Sequence, residues 1–146
     1  MSTELRASYT HTFKHAFDVK GRITVPADWR TEFHEAHLFV LPSSEACVRV
    51  YPASWMSELQ AGIKGRIDSD PVRQQVQALA TIAQGTTWDQ QGRIIVKDAL
   101  RKRAGLSKDS MLVGKLGHFE IWDNAAWEKK QPVELTVEEA LRAMGL

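Results

Sequence analysis

The sequence predicts an α+β fold that is rich in β-structure and consists of two similar modules. The main observation is a repeat: DVKGRITV at 18–25 returns 71 residues later as DQQGRIIV at 89–96. In both copies, short β-branched stretches and a short helical stretch follow the Asp-x-x-Gly-Arg segment. With 43% hydrophobic and 25% charged residues, the composition is that of a globular protein.

The first module begins with a strand, because apolar and polar positions alternate from Tyr9 to Phe17. Tyr9, His11, Phe13, His15 and Phe17 are expected on one face. Asp18 to Gly21 has the residues of a tight turn, and 23–25 is a second strand that Pro26 ends. A short helix is predicted for 27–33, strands for 38–41 and 48–51, and a helix from Pro52 to about Gly62.

The second module repeats this order. Strands are predicted at 86–88, 94–96, 111–113 and 119–122, a helix at 97–104 ended by Gly105, and another helix from Asp123. Apolar residues at helical spacing in 71–84 predict a connecting helix that packs the two modules together. Thr136 and Glu139 have the spacing of a capping box. The predicted organisation is a first module at 9–62, a connecting helix at 63–85, a second module at 86–130 and a C-terminal tail at 131–146.

Charge and composition restrict the function. Net charge is only +1, but residues 89–108 carry six Lys or Arg and two Asp, whereas 109–146 carry four Lys or Arg and seven Asp or Glu. Local positive charge of this kind attracts a polyanion, although the basic residues 101–103 would equally suit a solvated helix face. No apolar run is long enough to cross a membrane, and the segment at 1–10 does not look like a secretory signal. The single cysteine, Cys47, fits a reducing cytosol.

The duplicated Asp-x-x-Gly-Arg turn, together with MLVG at 111–114 and FEIWD at 119–123, resembles the MraZ family over about Tyr9 to Trp127. That resemblance implies two tandem SpoVT/AbrB-like modules that interleave into a swapped-hairpin β-barrel, and a ring-shaped homo-oligomer. It also implies a nucleoid-associated transcriptional regulator in the cytoplasm. Such a protein binds short direct repeats in double-stranded DNA upstream of its own division and cell-wall operon, and we expect it to repress. Two positions depart from the family pattern, since Lys97 replaces a usual Pro and His11 a common Gly.

Six residues are predicted to contact DNA, and four to stabilise the turns. Arg22 and Arg93, with Lys20 and Gln91, are expected to reach base edges, because Arg pairs with guanine and Gln with adenine. The first turn should contribute more to base readout. Lys14 and Arg101 are expected to hold phosphates, which position without specifying. Asp18, Gly21, Asp89 and Gly92 are expected to fix the turns.

Other functions are less well supported by the sequence. AbrB-like modules also occur in antitoxins that bind a protein partner, and each Asp–Arg pair could be only a salt bridge within a hairpin. His34 and His37 lack a third metal ligand at suitable spacing, so no metal or other cofactor is predicted. No convincing cluster of acid, base and nucleophile indicates an enzyme, and no small-molecule substrate is evident.

Overall fold

The structure is a computed structural model that describes residues 7–130 and 134–146. Residues 1–6, which include most of the segment considered for a signal, and 131–133, at the start of the predicted tail, lie outside the described residues. Eight strands and five α-helices occur in the described part, with a short 3-10 turn at Ala27–Trp29. None of these helices is long and apolar enough to cross a membrane.

The elements of the first half are β1 (Thr12–Ala16), β2 (Arg22–Thr24), β3 (His37–Pro42), β4 (Cys47–Pro52), α1 (Ala53–Ile63) and α2 (Pro71–Ile82). Those of the second half are β5 (Gln84–Thr87), β6 (Arg93–Ile95), α3 (Asp98–Ala104), β7 (Asp109–Gly114), β8 (Phe119–Asp123) and α4 (Asn124–Lys130), followed by α5 (Val137–Ala143).

The two halves exchange strands. Six strands form one antiparallel sheet in the order β1-β7-β8-β4-β3-β5, so β1 lies beside the hairpin of the second half and β5 beside the hairpin of the first. Among the described residues, the other two strands, β2 and β6, pair with each other alone, as a two-stranded ribbon. This is the mainly antiparallel α+β architecture that the sequence predicts. Within the described residues β1 and β5 remain the edges of the large sheet, so closure into a barrel stays a prediction.

The larger of two clusters of buried hydrophobic residues within 7–130 and 134–146 contains side chains of both the sheet and the ribbon. The ribbon contributes Ile23 and Ile94, and the residues directly after its strands contribute Val25 and Val96, all at most 1% exposed. Trp29 is 1% exposed and packs its ring against Tyr9, Phe13 and Phe119 at centroid distances of 4.8–5.7 Å. Since side chains alternate across a strand, burial of Ile23 and Ile94 leaves their neighbours on the outer face of the ribbon.

The centre of the large sheet carries an ion pair between the two halves. Arg49 of β4 lies opposite Glu120 of β8, with 3.1 Å between Arg49 Nε and Glu120 Oε2. The Glu120 side chain is 3% exposed and also accepts a hydrogen bond from the indole N–H of Trp122 at 2.9 Å. Although burial raises the pKa of Glu120, the His118 ring 3.6 Å away, the hydrogen bond from Trp122 and the nearby cations outweigh it, so the pKa falls to about 2.

Two local expectations are wrong. His11 adopts a positive φ of 74°, so the strand begins at Thr12 and His11 is exposed, although the rest of the predicted alternation holds. The helix predicted at 27–33 is only a 3-10 turn. The helix predicted from Pro71 to about Gln84 is confirmed as α2, which ends at Ile82 and has no buried side chain.

The connecting helix does not hold the modules together as expected. α2 packs mainly against α1 and β3, which both belong to the first half. Strand exchange joins the halves instead. Gln84, expected at the end of this helix, is a buried residue of β5 whose side chain donates to Ile95 O and accepts from Lys97 N, both at 2.9 Å. A Pro at position 97 would have no N–H to donate to Gln84.

Candidate nucleic-acid interface

The first turn, at 18–21, is organised by its aspartate. Asp18 Oδ1 accepts hydrogen bonds from the backbone N–H groups of Lys20 and Arg22, both at 2.9 Å. Its Oδ2 accepts from Arg22 Nε at 2.6 Å, and its carbonyl accepts from Gly21 N at 3.1 Å. Gly21 has a φ of 78°, a conformation that side chains with a Cβ rarely adopt. These bonds orient the arginine as well as the backbone.

The second turn, at 89–92, has the same geometry. Asp89 Oδ1 accepts from Gln91 N and Arg93 N, both at 2.9 Å, and its Oδ2 accepts from Arg93 Nε at 3.0 Å. Gly92 also has a φ of 78°. The two copies of the sequence repeat therefore form two nearly identical turns.

Both aspartates are held in the ionised form. Hydrogen bonds to each carboxylate, first of all from the backbone N–H of Arg22 or Arg93, lower the pKa of Asp18 and Asp89 below their usual value of about 3.8. Because the pKa of each aspartate is lowered in the folded protein, its stabilisation of the turn is fully present above about pH 3.8. The turn loosens as pH falls through the depressed pKa.

The two arginines lie on the same face of the ribbon. In the register of β2 and β6, Arg22 lies opposite Ile95 and Arg93 opposite Thr24, while Ile23 and Ile94 point into the core. Diagonal neighbours of this kind lie on the order of 7–8 Å apart. Each arginine side chain is 28% exposed. Among the described residues, only Nε of each is hydrogen-bonded, so the terminal nitrogens remain available to a ligand.

The tips of the turns are chemically different. Lys20 is exposed in the first turn, and Gln91 occupies the matching place in the second. Val19 beside Lys20 is fully exposed, and Gln90 beside Gln91 is exposed as well. Neither Val19 nor Gln90 is among the contact residues predicted from the sequence. Both lie between Asp and Gly in a tight turn, a place that exposes a side chain.

The two predicted phosphate ligands occupy different elements. Lys14 is exposed on the edge strand β1. Arg101 lies in α3, where its Nε donates to Val96 O at 2.9 Å and Nη2 is 3.5 Å from Asp98. An open groove of about 720 Å³ separates the first turn from the region after α3, and Phe17, Asp18, Arg101 and Lys108 are among its lining residues.

Several potential metal ligands among the described residues have other polar partners. His34 bonds Ser8 O at 2.9 Å and the Thr31 hydroxyl at 2.7 Å. One group, Glu45, Cys47 and Glu120, brings ligand atoms within 4.8 Å of one another. Its carboxylates pair with Lys130 and Arg49, and burial raises the pKa of the Cys47 thiol to about 11. Both carboxylates of this group are thus paired with cations of the chain, and the raised pKa favours the neutral form of the thiol.

Comparison with known proteins gives consistent matches. A family model described as "MraZ protein, putative antitoxin-like" matches residues 9–66 and 79–140. The chain is 35% identical over 118 residues to the "Transcriptional regulator MraZ" of Shewanella frigidimarina, covering 77% of this chain and 78% of that protein. It is 36% identical over 121 residues to the protein of the same name from Cutibacterium acnes, covering 82% and 83%. The matched residues include both turns.

Proposed function

The chain belongs to the MraZ family, and from this premise we propose that it is a sequence-specific DNA-binding transcriptional regulator. It acts as a repressor of the division and cell-wall gene cluster by binding short direct repeats upstream of its own operon. Its site of action is then the nucleoid, in the cytoplasm.

The observation that carries this proposal is the common outer face of the ribbon. Arg22 and Arg93 lie on that face, and the two turns stand at its opposite ends because β2 and β6 are antiparallel. The major groove of B-DNA is about 12 Å wide and admits a two-stranded β-ribbon. The ribbon therefore enters the major groove, and the free terminal nitrogens of each arginine bond base edges.

The two turns recognise different bases. Lys20 adds a positive charge beside Arg22, whereas Gln91 adds a neutral amide beside Arg93, so the first turn binds guanine-rich sequence more strongly and the second accommodates adenine. Asp18, Gly21, Asp89 and Gly92 hold the turns in position. Each bidentate base contact discriminates by about 1–3 kcal/mol.

Phosphate contacts complete the interface. Lys14 and Arg101 hold the DNA backbone, and the groove beside the first turn, with Arg101 and Lys108 in its wall, is large enough for a phosphate. Such contacts fix the register of the protein on the duplex and make binding dependent on salt.

A single chain with few basic groups binds weakly, so the proposal includes assembly. The modules at 9–62 and 86–130, joined by 63–85 and followed by the tail at 131–146, interleave into a swapped-hairpin barrel. Several copies of that barrel form a ring. Linked sites that bind repeated DNA sequences raise apparent affinity by about 10²–10⁴.

Arg22→Ala tests the base-contact role. We expect this variant to lose the specific gel shift of DNA from upstream of its own gene, while its mass in solution and its circular dichroism stay unchanged. Arg66→Ala is the matched control, because it removes the same charge from the connection between α1 and α2. Normal operator binding by Arg22→Ala would refute the assignment.

A second candidate follows from the description of the matching family as antitoxin-like. In that case the ribbon face would bind an acidic protein partner. Competition shows whether the two functions would use the same surface. Double-stranded operator DNA should displace a protein partner if both bind Arg22 and Arg93. The gel shift with purified protein decides whether DNA is bound at all.

A further inference from the structure

Each turn glycine lies beneath an arginine that comes from the other half of the chain. Gly92, in the second turn, faces Arg30, which follows the 3-10 turn of the first half. A Cβ placed on Gly92 would lie 2.6 Å from Arg30 Nε and 2.7 Å from Nη1. Real Cβ atoms do not approach other atoms so closely. The guanidinium group thus occupies the space that a side chain at position 92 would need.

Backbone hydrogen bonds complete the arrangement. Arg30 Nε donates to Val25 O at 2.7 Å, and Val25 N donates to Gly92 O at 2.8 Å. Arg30, the end of β2 and the second turn are therefore linked in a closed loop of contacts. A planar guanidinium can donate from Nε while its flat face covers a glycine, whereas a lysine ammonium cannot.

The same arrangement occurs at the first turn with the roles exchanged. A Cβ on Gly21 would lie 2.9 Å from Nη2 of Arg101. Arg101 Nε donates to Val96 O at 2.9 Å, and Val96 N donates to Gly21 O at 3.0 Å. The guanidinium carbon of Arg101 also lies 5.7 Å from the centre of the Phe17 ring.

We propose that Arg30 is a positioning residue that fixes the DNA-reading turn of the opposite half, and that Arg101 fixes the first turn in the same way in addition to its proposed phosphate contact. This inference rests on the proposed function for its consequence at DNA. The aspartate of a turn sets its local shape, while the arginine from the other half sets where that turn stands relative to the ribbon. Base readout by the second turn then depends on Arg30, which is itself no base contact.

A double-mutant cycle on stability tests the swapped pairing without DNA. Gly92→Ala is strained by its positive φ and by its contact with Arg30. In an Arg30→Ala background the contact is gone and only the strain remains. We expect the effect of Gly92→Ala on the unfolding equilibrium to be roughly tenfold smaller there.

The repeat provides matched controls for this cycle. Gly92→Ala combined with Arg101→Ala should be additive within about twofold, and Gly21→Ala should couple to Arg101→Ala but not to Arg30→Ala. Equal coupling in matched and mismatched pairs, or coupling in neither, overturns the inference. Arg30→Lys, which keeps the charge and the aliphatic stem, replaces Arg30→Ala if the latter does not fold.

Binding measurements distinguish positioning from direct contact with phosphate. Arg30→Ala should lower the ratio of operator to non-specific affinity about tenfold, lose protection at the bases under the second turn, and leave the slope of log K against log salt unchanged. Arg30→Lys should not restore the ratio. A slope reduced by about one with an unchanged ratio would identify Arg30 as a phosphate ligand and overturn the inference. Failure of the wild type to prefer its operator would refute the proposed function instead, and the stability cycle would remain decisive for the pairing.

Discussion

Replacing Glu120 tests how the two halves of the chain are held in register. Its carboxylate lies at the centre of the large sheet, 3% exposed, where it pairs with Arg49 and accepts the indole N–H of Trp122. Positions 49 and 120 are 71 residues apart, the same separation as the two turns. The two equivalent positions of the repeat therefore carry opposite charges, which face each other across β4 and β8.

The expected loss follows from these contacts. A hydrogen bond to a buried charged group contributes about 1.5–3 kcal/mol. The pair with Arg49 adds at most about 1 kcal/mol, because the arginine side chain is 40% exposed and solvent screens it. Glu120→Ala should then lower the free energy of unfolding by about 2–4 kcal/mol. For a chain of this length that corresponds to a fall in Tm of roughly 6–12 °C.

Thermal and urea unfolding, followed by circular dichroism, measure this loss. Glu120→Gln should fall between wild type and Glu120→Ala, because the amide oxygen still accepts from Trp122 while the charge is gone. Exposed Glu32 provides the control, and Glu32→Ala should change stability by less than about 0.5 kcal/mol. A Tm of Glu120→Ala within 2 °C of wild type, on the order of 0.5 kcal/mol, would show that the buried pair does not stabilise the sheet.

The pH dependence has a definite sign. The pKa of Glu120 is lowered from 4.5 to about 2 in the folded protein, so its contribution is fully present above about pH 4.5. The stability difference between wild type and Glu120→Gln should shrink as pH falls from 4.5 towards 2. A difference that stays constant over this range would contradict the assigned pKa.

Three further changes test the core, a helix end and the DNA face. Trp29→Ala removes a fully buried ring and should cost about 3–5 kcal/mol, seen as a lower urea midpoint. Gly105→Ala should cost only about 1–2 kcal/mol, because the positive φ of 69° is unfavourable while an added Cβ meets nothing within 4 Å. A loss as large as that of Trp29→Ala would mean that space is limiting there. Lys20→Gln should lower the salt slope of DNA binding by about one per bound turn with no change in Tm, and an unchanged slope would remove Lys20 from the interface.

Local interactions explain which features the sequence could predict. The turns at 18–21 and 89–92 are fixed by Asp side chains that bond residues two and four positions ahead, and by Gly at a positive φ. Thr136 caps α5 by accepting from Glu139 N at 3.3 Å, as its spacing predicts. All of these contacts lie within four residues, so residue types and spacing are sufficient to predict them.

Element boundaries depended on distant partners. Periodicity extends the connecting helix to Gln84, but β5 pairs with β3 and the Gln84 side chain bonds the backbone at Ile95 and Lys97. At His11 the alternation predicts a strand, while the backbone turns to a positive φ. In both places tertiary contacts outweigh local preference, which a short window of sequence cannot reveal.

The sequence by itself determined that two equivalent turns, each with an aspartate that orients an arginine, exist in this chain. Only the tertiary structure decided that Arg22 and Arg93 share one face of a ribbon, and that Arg30 covers Gly92 while Arg101 covers Gly21. The physical reason is the distance along the chain. Bonds within a turn close over four residues, whereas the strand pairings between the halves join residues 44 (Val40 and Gln84) to 101 (Thr12 and Val113) positions apart, and they are set by burying both halves in a shared core.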